Sequence, residues 1–116
     1  MATVPNTLVR AKPFADAWII SWSLGAADEG VPMDLPQAND KSVQVSGTLS
    51  GATVVIQGSN NGTDWETIQD PEGAALSFSA SGLRGILEHV RYIRPVSSGG
   101  SGSAISVTIF AKGQAV

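Results

Sequence analysis

Alternation of apolar and polar residues recurs along the chain and predicts a series of short β-strands. In residues 104–110 the side chains of Ile105, Val107 and Ile109 share one face, and residues 18–23 alternate in the same way. The positions that this pattern assigns to buried faces include Val43, Val45, Val54, Ile56, Leu76, Phe78, Ile93, Ile105, Val107 and Ile109.

The clearest local signal is a hairpin between residues 53 and 68. Two runs rich in β-branched and aromatic residues flank the cluster Ser-Asn-Asn-Gly-Thr at 59–63. Asn61 and Gly62 tolerate the positive φ angles that tight hairpin turns need. The sequence therefore predicts two antiparallel strands joined at this turn.

Turn residues separate the remaining strands. Residues 24–41 combine glycines, prolines and acidic residues, so they are predicted to form a long loop. Residues 97–103 consist of serine and glycine and are predicted to form a flexible hairpin tip. In residues 81–89 apolar positions recur at spacings of 3 and 4, which predicts a brief helical turn at most. Pro95 cannot donate a ladder hydrogen bond, so its strand is expected at an edge or a bulge. About seven strands with regular turn signals predict an all-β fold, an antiparallel β-sandwich of jelly-roll type.

The N-terminal residues 1–17 lack a hydrophobic period. Pro5 and Pro13 interrupt them, so we expect an extended arm that contacts a neighbouring molecule. The remaining residues, 18–116, form the predicted sandwich domain. A length of 116 residues suits a single domain of this kind.

Composition narrows the functional class. The absence of cysteine excludes disulfides, thiol nucleophiles and cysteine zinc sites. Ten acidic and seven scattered basic residues give a formal net charge of −3, which argues against nucleic acid as a partner. No apolar run reaches the ~20 residues that a membrane span needs, and no secretory signal is recognisable, so we expect neither a membrane partner nor export. Only 15% of residues are charged, which fits a partly covered surface or a Gly-rich β-domain.

Residues capable of acid–base or metal chemistry are few and poorly placed. His89 is the single histidine, and Asp64 and Glu66 lie two apart on the predicted hairpin, where carboxylates are normally solvated. The acidic residues of the 24–41 loop do not match the spacing of a calcium loop. The sequence therefore predicts no catalytic residues, no metal ligands, no cofactor and no enzymatic activity.

The aromatic residues suggest one alternative site. Trp18, Trp22, Trp65 and Tyr92 could stack on sugar rings, although core packing explains most of them in a chain of this size. Trp65 is the best candidate because it borders the turn between two acidic residues.

Four segments carry a resemblance to a known group of proteins. They are Val-Gln-Val-Ser-Gly at 43–47, the hairpin Val-Val-Ile-Gln-Gly-Ser-Asn-Asn-Gly-Thr-Asp-Trp at 54–65, Leu-Ser-Phe-Ser-Ala at 76–80, and Arg-Tyr-Ile-Arg-Pro at 91–95. Together they cover roughly residues 42–112. This arrangement resembles small β-sandwich virion proteins of tailed bacteriophages, and most of all head decoration (cement) proteins. The hairpin and the Arg-Tyr-Ile-Arg strand also look like those of discoidin-type carbohydrate- or lipid-binding domains.

The resemblance implies a non-enzymatic protein that binds the major capsid protein as a homotrimer on the outer capsid surface of the virion, after synthesis in the host cytoplasm. Its interface would involve the arm and the loops at 24–41 and 97–103, with contributions from Val4, Leu8, Arg10, Lys12, Phe14, Val31, Met33 and Leu35. The alternative is a carbohydrate- or receptor-binding module of a tail fibre or baseplate, with Trp65 as its platform. A small hydrolase would need a nucleophile, a base and an orienting group, for which the sequence offers no credible spacing.

Overall fold

A computed structural model describes residues 2–10, 17–34, 38–88 and 90–113. Within these ranges the chain forms twelve β-strands: β1 Ala2–Val4, β2 Asn6–Arg10, β3 Ala17–Leu24, β4 Asp28–Gly30, β5 Met33–Asp34, β6 Ala38–Thr48, β7 Thr53–Ser59, β8 Glu66–Thr67, β9 Ser77–Phe78, β10 Gly82–Ile86, β11 Tyr92–Ser98 and β12 Ala104–Gly113. The described residues include no helix that could cross a membrane.

The strands form two sheets. Sheet A has the order β1-β4-β11-β7-β8, with β5 also pairing with β11 and β9 with β7. Sheet B has the order β10-β6-β12-β3-β2. All the pairings are antiparallel except that of β1 with β4.

The pairing is nested. β3 pairs with β12, β4 with β11, β6 with β10, and β7 with β8, so the chain folds back on itself around the β7–β8 hairpin. Four nested pairs distributed over two sheets are the topology of a jelly roll. The all-β jelly-roll sandwich predicted from the sequence is therefore confirmed, and β1 and β2 add one edge strand to each sheet.

The core lies between the two sheets. Every position that the alternation assigned to a buried face is buried, and Val43, Val107 and Ile109 have no exposed surface. On β3, Ile20 and Trp22 complete this core from sheet B. The period of two placed these side chains correctly because one face of each sheet is covered by the other sheet.

The described part of the predicted N-terminal arm is extended but lies on its own sandwich. Residues 2–4 pair in parallel with β4, and residues 6–10 pair with β3. Pro5 separates the two strands, where the chain passes from sheet A to sheet B. Short strands without an apolar period can still bind at a sheet edge because backbone hydrogen bonds hold them there. Residues 11–16 of the arm lie outside the described ranges.

The predictions for two internal segments were wrong. The supposed loop at 24–41 contains β4, β5 and the beginning of β6, and the supposed helical turn at 81–89 contains the edge strand β10. In β10 the side chain of Ile86 is buried whereas Leu83 is 66% exposed. Pairing with β6 therefore outweighs the helical spacing of these apolar residues. The histidine at 89 is not among the described residues.

Pro95 also differs from its expected position. Its strand, β11, is central in sheet A. Opposite Pro95, the backbone groups of Ile56 are bonded to Leu76 and Ile68 on the far side of β7, so the pair Pro95–Ile56 exchanges no hydrogen bonds. The proline nitrogen thus faces the other neighbour, where pairing changes from β5 to β4. A residue without an N–H fits at this interruption of the ladder.

Candidate interaction surface

Val31 joins the N-terminal strands to the rest of the sandwich. Its N–H donates to the Val4 carbonyl at 2.7 Å. Its carbonyl accepts hydrogen bonds from the Trp22 indole Nε1 at 2.8 Å and from Asn6 Nδ2 at 3.2 Å. One residue after β4 therefore contacts β1, β2 and β3.

Gly30 makes this junction possible. A Cβ atom built on Gly30 would lie 2.6 Å from Pro95 Cδ and 2.7 Å from Trp22 Cδ1. Those distances are too short for any side chain, so the buried indole rests directly on the backbone of β4. The position of Trp22 in turn places its Nε1 within reach of Val31.

An open groove adjoins this junction. It has a volume of about 320 Å³ and is lined by Asn6, Leu8, Ile20, Val31, Pro32, Met33 and Asp34. Two of its apolar residues remain accessible, Leu8 being 54% and Val31 37% exposed. The groove therefore offers apolar surface to a partner between the edge of sheet B and the segment that follows β4.

The structure brings several of the predicted interface residues together here. Leu8, Val31 and Met33 line the groove, but Met33 is buried and belongs mainly to the core. Val4 is half-buried and packs against the core beside the junction. Arg10 is the last residue of β2. The other predicted interface residues, Lys12, Phe14 and Leu35, lie outside the described ranges.

Strand β2 is also an open edge. It pairs with β3 on one side, and no strand of the described ranges pairs with it on the other. Unpaired backbone N–H and C=O groups at a sheet edge bind readily to another extended chain. Backbone polar groups and exposed apolar side chains thus lie next to each other along β2.

The aromatic platform suggested by the sequence is not assembled. Trp22 is 1% exposed, and Trp18 packs against the core. The guanidinium carbon of Arg94 lies 4.1 Å above the centre of the Trp65 ring, so one face of this ring is covered. Arg91 lies above Tyr92 in a similar way, at 5.0 Å.

Arg94 is itself firmly held. Its Nε donates to Gln57 Oε1 at 2.9 Å, and its Nη1 forms a hydrogen-bonded ion pair with Glu29. This network connects β4, β7 and β11 across the outer face of sheet A. The stacking on Trp65 is therefore part of a structural ion-pair network, which sequence spacing could not reveal because Glu29 and Arg94 are far apart in the chain.

A second arginine, whose partners sequence spacing does not reveal either, fixes the loop between β8 and β9. Arg84 binds Asp70 Oδ2 through Nε at 3.1 Å and through Nη2 at 2.7 Å. The Asp70 carboxylate also accepts the backbone N–H groups of Glu72 and Ala74. The hydrogen bond from Arg84, followed by that from Ala74, holds the pKa of the Asp70 carboxyl below its ordinary value. Within the described ranges no group of three or more metal-ligating side chains occurs.

No protein-family model and no curated protein matches the sequence. The chain is similar in structure to the SPBc2 prophage-derived protein YomS, with a TM-score of 0.63 and 8% identity over 88% of this chain and 100% of that one. It is also similar to PliG of Aeromonas hydrophila, a periplasmic inhibitor of g-type lysozyme, with a TM-score of 0.51 and 15% identity over 96% of both chains. A cupin domain from Bordetella pertussis aligns over 99% of both chains, with a TM-score of 0.47 and 11% identity. At these identities the likeness to YomS and PliG shows a shared fold, and in YomS it occurs in a phage-derived protein.

Proposed function

We propose that this protein is a non-enzymatic structural protein of a phage virion, a head decoration protein that stabilises the capsid by bridging major capsid subunits. The observation that carries the proposal is the surface along β2, where an open strand edge adjoins an apolar groove. The motif resemblance to decoration proteins and the phage origin of YomS, which shares the fold, support it.

The proposed mechanism is adhesion at many sites. Leu8 and Val31 would each contribute about 1 kcal/mol if a capsid subunit covered their exposed surface. A single contact of this size is weak, but many copies of a decoration protein on one capsid form many such contacts, and these act together. Binding only to the assembled shell stabilises that shell by mass action.

The expected assembly is a homotrimer on the outer capsid surface, formed after synthesis in the host cytoplasm. Each protomer would present its β2 surface and the tip at 97–103 to capsid subunits or sister protomers. Residues 99–103 of that tip connect β11 to β12, and Ser98, Gly99, Ser101 and Gly102 are exposed, whereas Ser97 is buried within β11.

Heat challenge of expanded phage heads tests the proposal. Heads with added protein should retain their DNA to a higher temperature than bare heads. Leu8→Asp should abolish this protection because it places a charge in the apolar groove. Thr7→Asp is the matched control, since the exposed Thr7 neighbours Leu8 on β2 and does not line the groove.

Two results would contradict the proposal. The first is equal DNA retention with and without the wild-type protein. The second is binding to a host-surface glycan that Trp65→Ala abolishes, which would favour the tail-fibre alternative.

A further inference from the structure

The Asn61 side chain holds together the turn between β7 and β8. Its Oδ1 accepts the backbone N–H groups of Thr63 and Asp64, both at 2.9 Å, and the hydroxyl of Ser59 at 3.1 Å. Its Nδ2 donates to Asp64 Oδ2, also at 2.9 Å. Both ends of the amide are therefore used, and only an amide has an acceptor and a donor in these places.

The same residue belongs to the single Asn-Gly pair of the sequence. Glycine has no side chain to shield its backbone nitrogen, which can attack the Asn61 side chain. The Gly62 nitrogen forms a bond to Asn61 Cγ, the bond from Cγ to Nδ2 breaks, and ammonia leaves with the proton of the Gly62 N–H. Water then opens the resulting cyclic imide, adding hydroxyl to a carbonyl carbon and a proton to the nitrogen, and leaves aspartate or isoaspartate. The net reaction consumes one water and releases one ammonia.

In the folded turn both reacting groups are engaged in hydrogen bonds. The Gly62 N–H donates to Ser59 Oγ at 2.9 Å. Gly62 adopts φ +77°, and a Cβ on it would lie 3.5 Å from the Tyr92 ring, so the turn rests against β11. These hydrogen bonds must break before the Gly62 nitrogen can attack Asn61 Cγ.

We propose that Asn61 is a deamidation site that the folded turn protects and that, once it has reacted, loosens the turn irreversibly. An aspartate at 61 keeps the acceptor Oδ1 but replaces the Nδ2 donor by a second carboxylate oxygen. That oxygen would face Asp64 Oδ2 at the 2.9 Å now occupied by a hydrogen bond. Two like charges so close repel each other, and the hydrogen bond between residues 61 and 64 is lost.

The protection can be measured on the full-length chain by peptide mapping with mass spectrometry after incubation in mildly alkaline buffer. Breaking a hydrogen bond of ordinary net strength changes an equilibrium about fivefold. Since at least the bonds of Gly62 and Asn61 must open, deamidation should be slower by roughly tenfold or more in the folded chain than in the same chain in denaturant. Equal rates in the two states would overturn the proposal.

Variants identify the hydrogen bonds responsible. Ser59→Ala should accelerate deamidation of the folded protein because it frees the Gly62 N–H and one contact of Asn61. Thr63→Ala is the control, since it keeps the backbone N–H that bonds to Asn61 and should leave the rate unchanged. If Ser59→Ala does not fold, Asp64→Ala removes the acceptor of Asn61 Nδ2 and should also accelerate the reaction. A rate unaffected by the folded variant would contradict the mechanism.

The consequence for the turn is tested by an exchange of the two partners. Asn61→Asp, which mimics the product, should lower the urea midpoint of unfolding. Adding Asp64→Asn should restore most of it, because the amide donor then stands at 64 and faces the carboxylate at 61. An Asn61→Asp variant as stable as the wild type, or no recovery in the double variant, would refute the proposed carboxylate repulsion.

Discussion

Replacement of Gly30 by alanine tests how the N-terminal strands are attached. The new Cβ would lie 2.6 Å from Pro95 Cδ and 2.8 Å from Trp22 Nε1. Neither neighbour is the end of a flexible side chain, and both are buried. Each must therefore move away from the new Cβ by several tenths of an ångström. A retreat of the indole would also weaken its 2.8 Å hydrogen bond to the Val31 carbonyl.

The expected cost follows from these two effects. Overpacking a filled core costs about 1–3 kcal/mol, and the weakened hydrogen bond about 1 kcal/mol more. Gly30→Ala should therefore destabilise the protein by about 2–4 kcal/mol, a large part of the ~5–15 kcal/mol typical of a domain. Because Gly30 is in register with Val4, cleavage within residues 2–10 by a protease should also become faster.

Urea unfolding followed by tryptophan fluorescence measures the stability, and limited proteolysis measures release of the N-terminal strands. The matched control is Gly82→Ala in β10, where a Cβ would meet the Phe78 ring at an ordinary 3.4 Å. This control should change stability by less than about 0.5 kcal/mol. If the two variants unfold at the same urea concentration, the close packing of Trp22 on β4 is not what holds this junction.

Three further predictions concern the core, the Asp70 carboxylate and the virion. Val107→Asp should prevent folding, because a buried unpaired carboxylate costs several kcal/mol, whereas Ser106→Asp on the outer face of the same strand should be tolerated; circular dichroism distinguishes them. Asp70→Asn should destabilise the protein at neutral pH. Since Arg84 lowers the folded-state pKa of Asp70, its stabilising contribution is present above the unfolded pKa of ~3.9 and is lost as pH falls through the folded value. Urea midpoints of the variant and the wild type should therefore converge in acid, and a constant difference would refute this account. Heads lacking the protein should assemble normally yet release DNA at a lower temperature than decorated heads, as a light-scattering or nuclease-accessibility assay would show.

The sequence predicted those parts of the fold that depend on local pattern. Alternation identified the core faces of β6, β7, β11 and β12 because the period of two is a direct consequence of strand geometry. The hairpin at Asn61-Gly62 was predictable from turn chemistry alone. The jelly-roll class followed from the regular spacing of strands and turns, although the described ranges hold twelve strands where about seven were predicted.

Features that depend on distant pairing were not predictable. Strands β1, β2 and β4 are short and have no apolar period, so only their neighbours in the sheets define them. At 81–89 the spacing of apolar residues favoured a helical turn, but residues 82–86 form strand β10 because they pair with β6. The roles of Val31 and Arg94 arise from partners up to 65 positions away in the chain, which no local pattern encodes.

The structure brings together only some of the residues predicted to form an interface. Leu8 and Val31, both predicted interface residues, line the same groove. Met33 lines it as well, but its side chain is buried and belongs mainly to the core. Trp65 lies beside a turn, but no local pattern indicates that Arg94, 29 positions further along the chain, covers one face of its ring.

The nested strand order also governs when the sandwich can form. β12 lies at the centre of sheet B, between β6 and β3, and it is the last strand to be synthesised among those described. Until it emerges from the ribosome, β3 and β6 have no common neighbour, and their apolar faces have no complete sheet in which to pack. Such long-range pairing slows folding, typically to milliseconds or seconds. Nascent chains should therefore remain protease-sensitive until β12 is available, with β3 and β6 exposed to pairing with other chains during that interval.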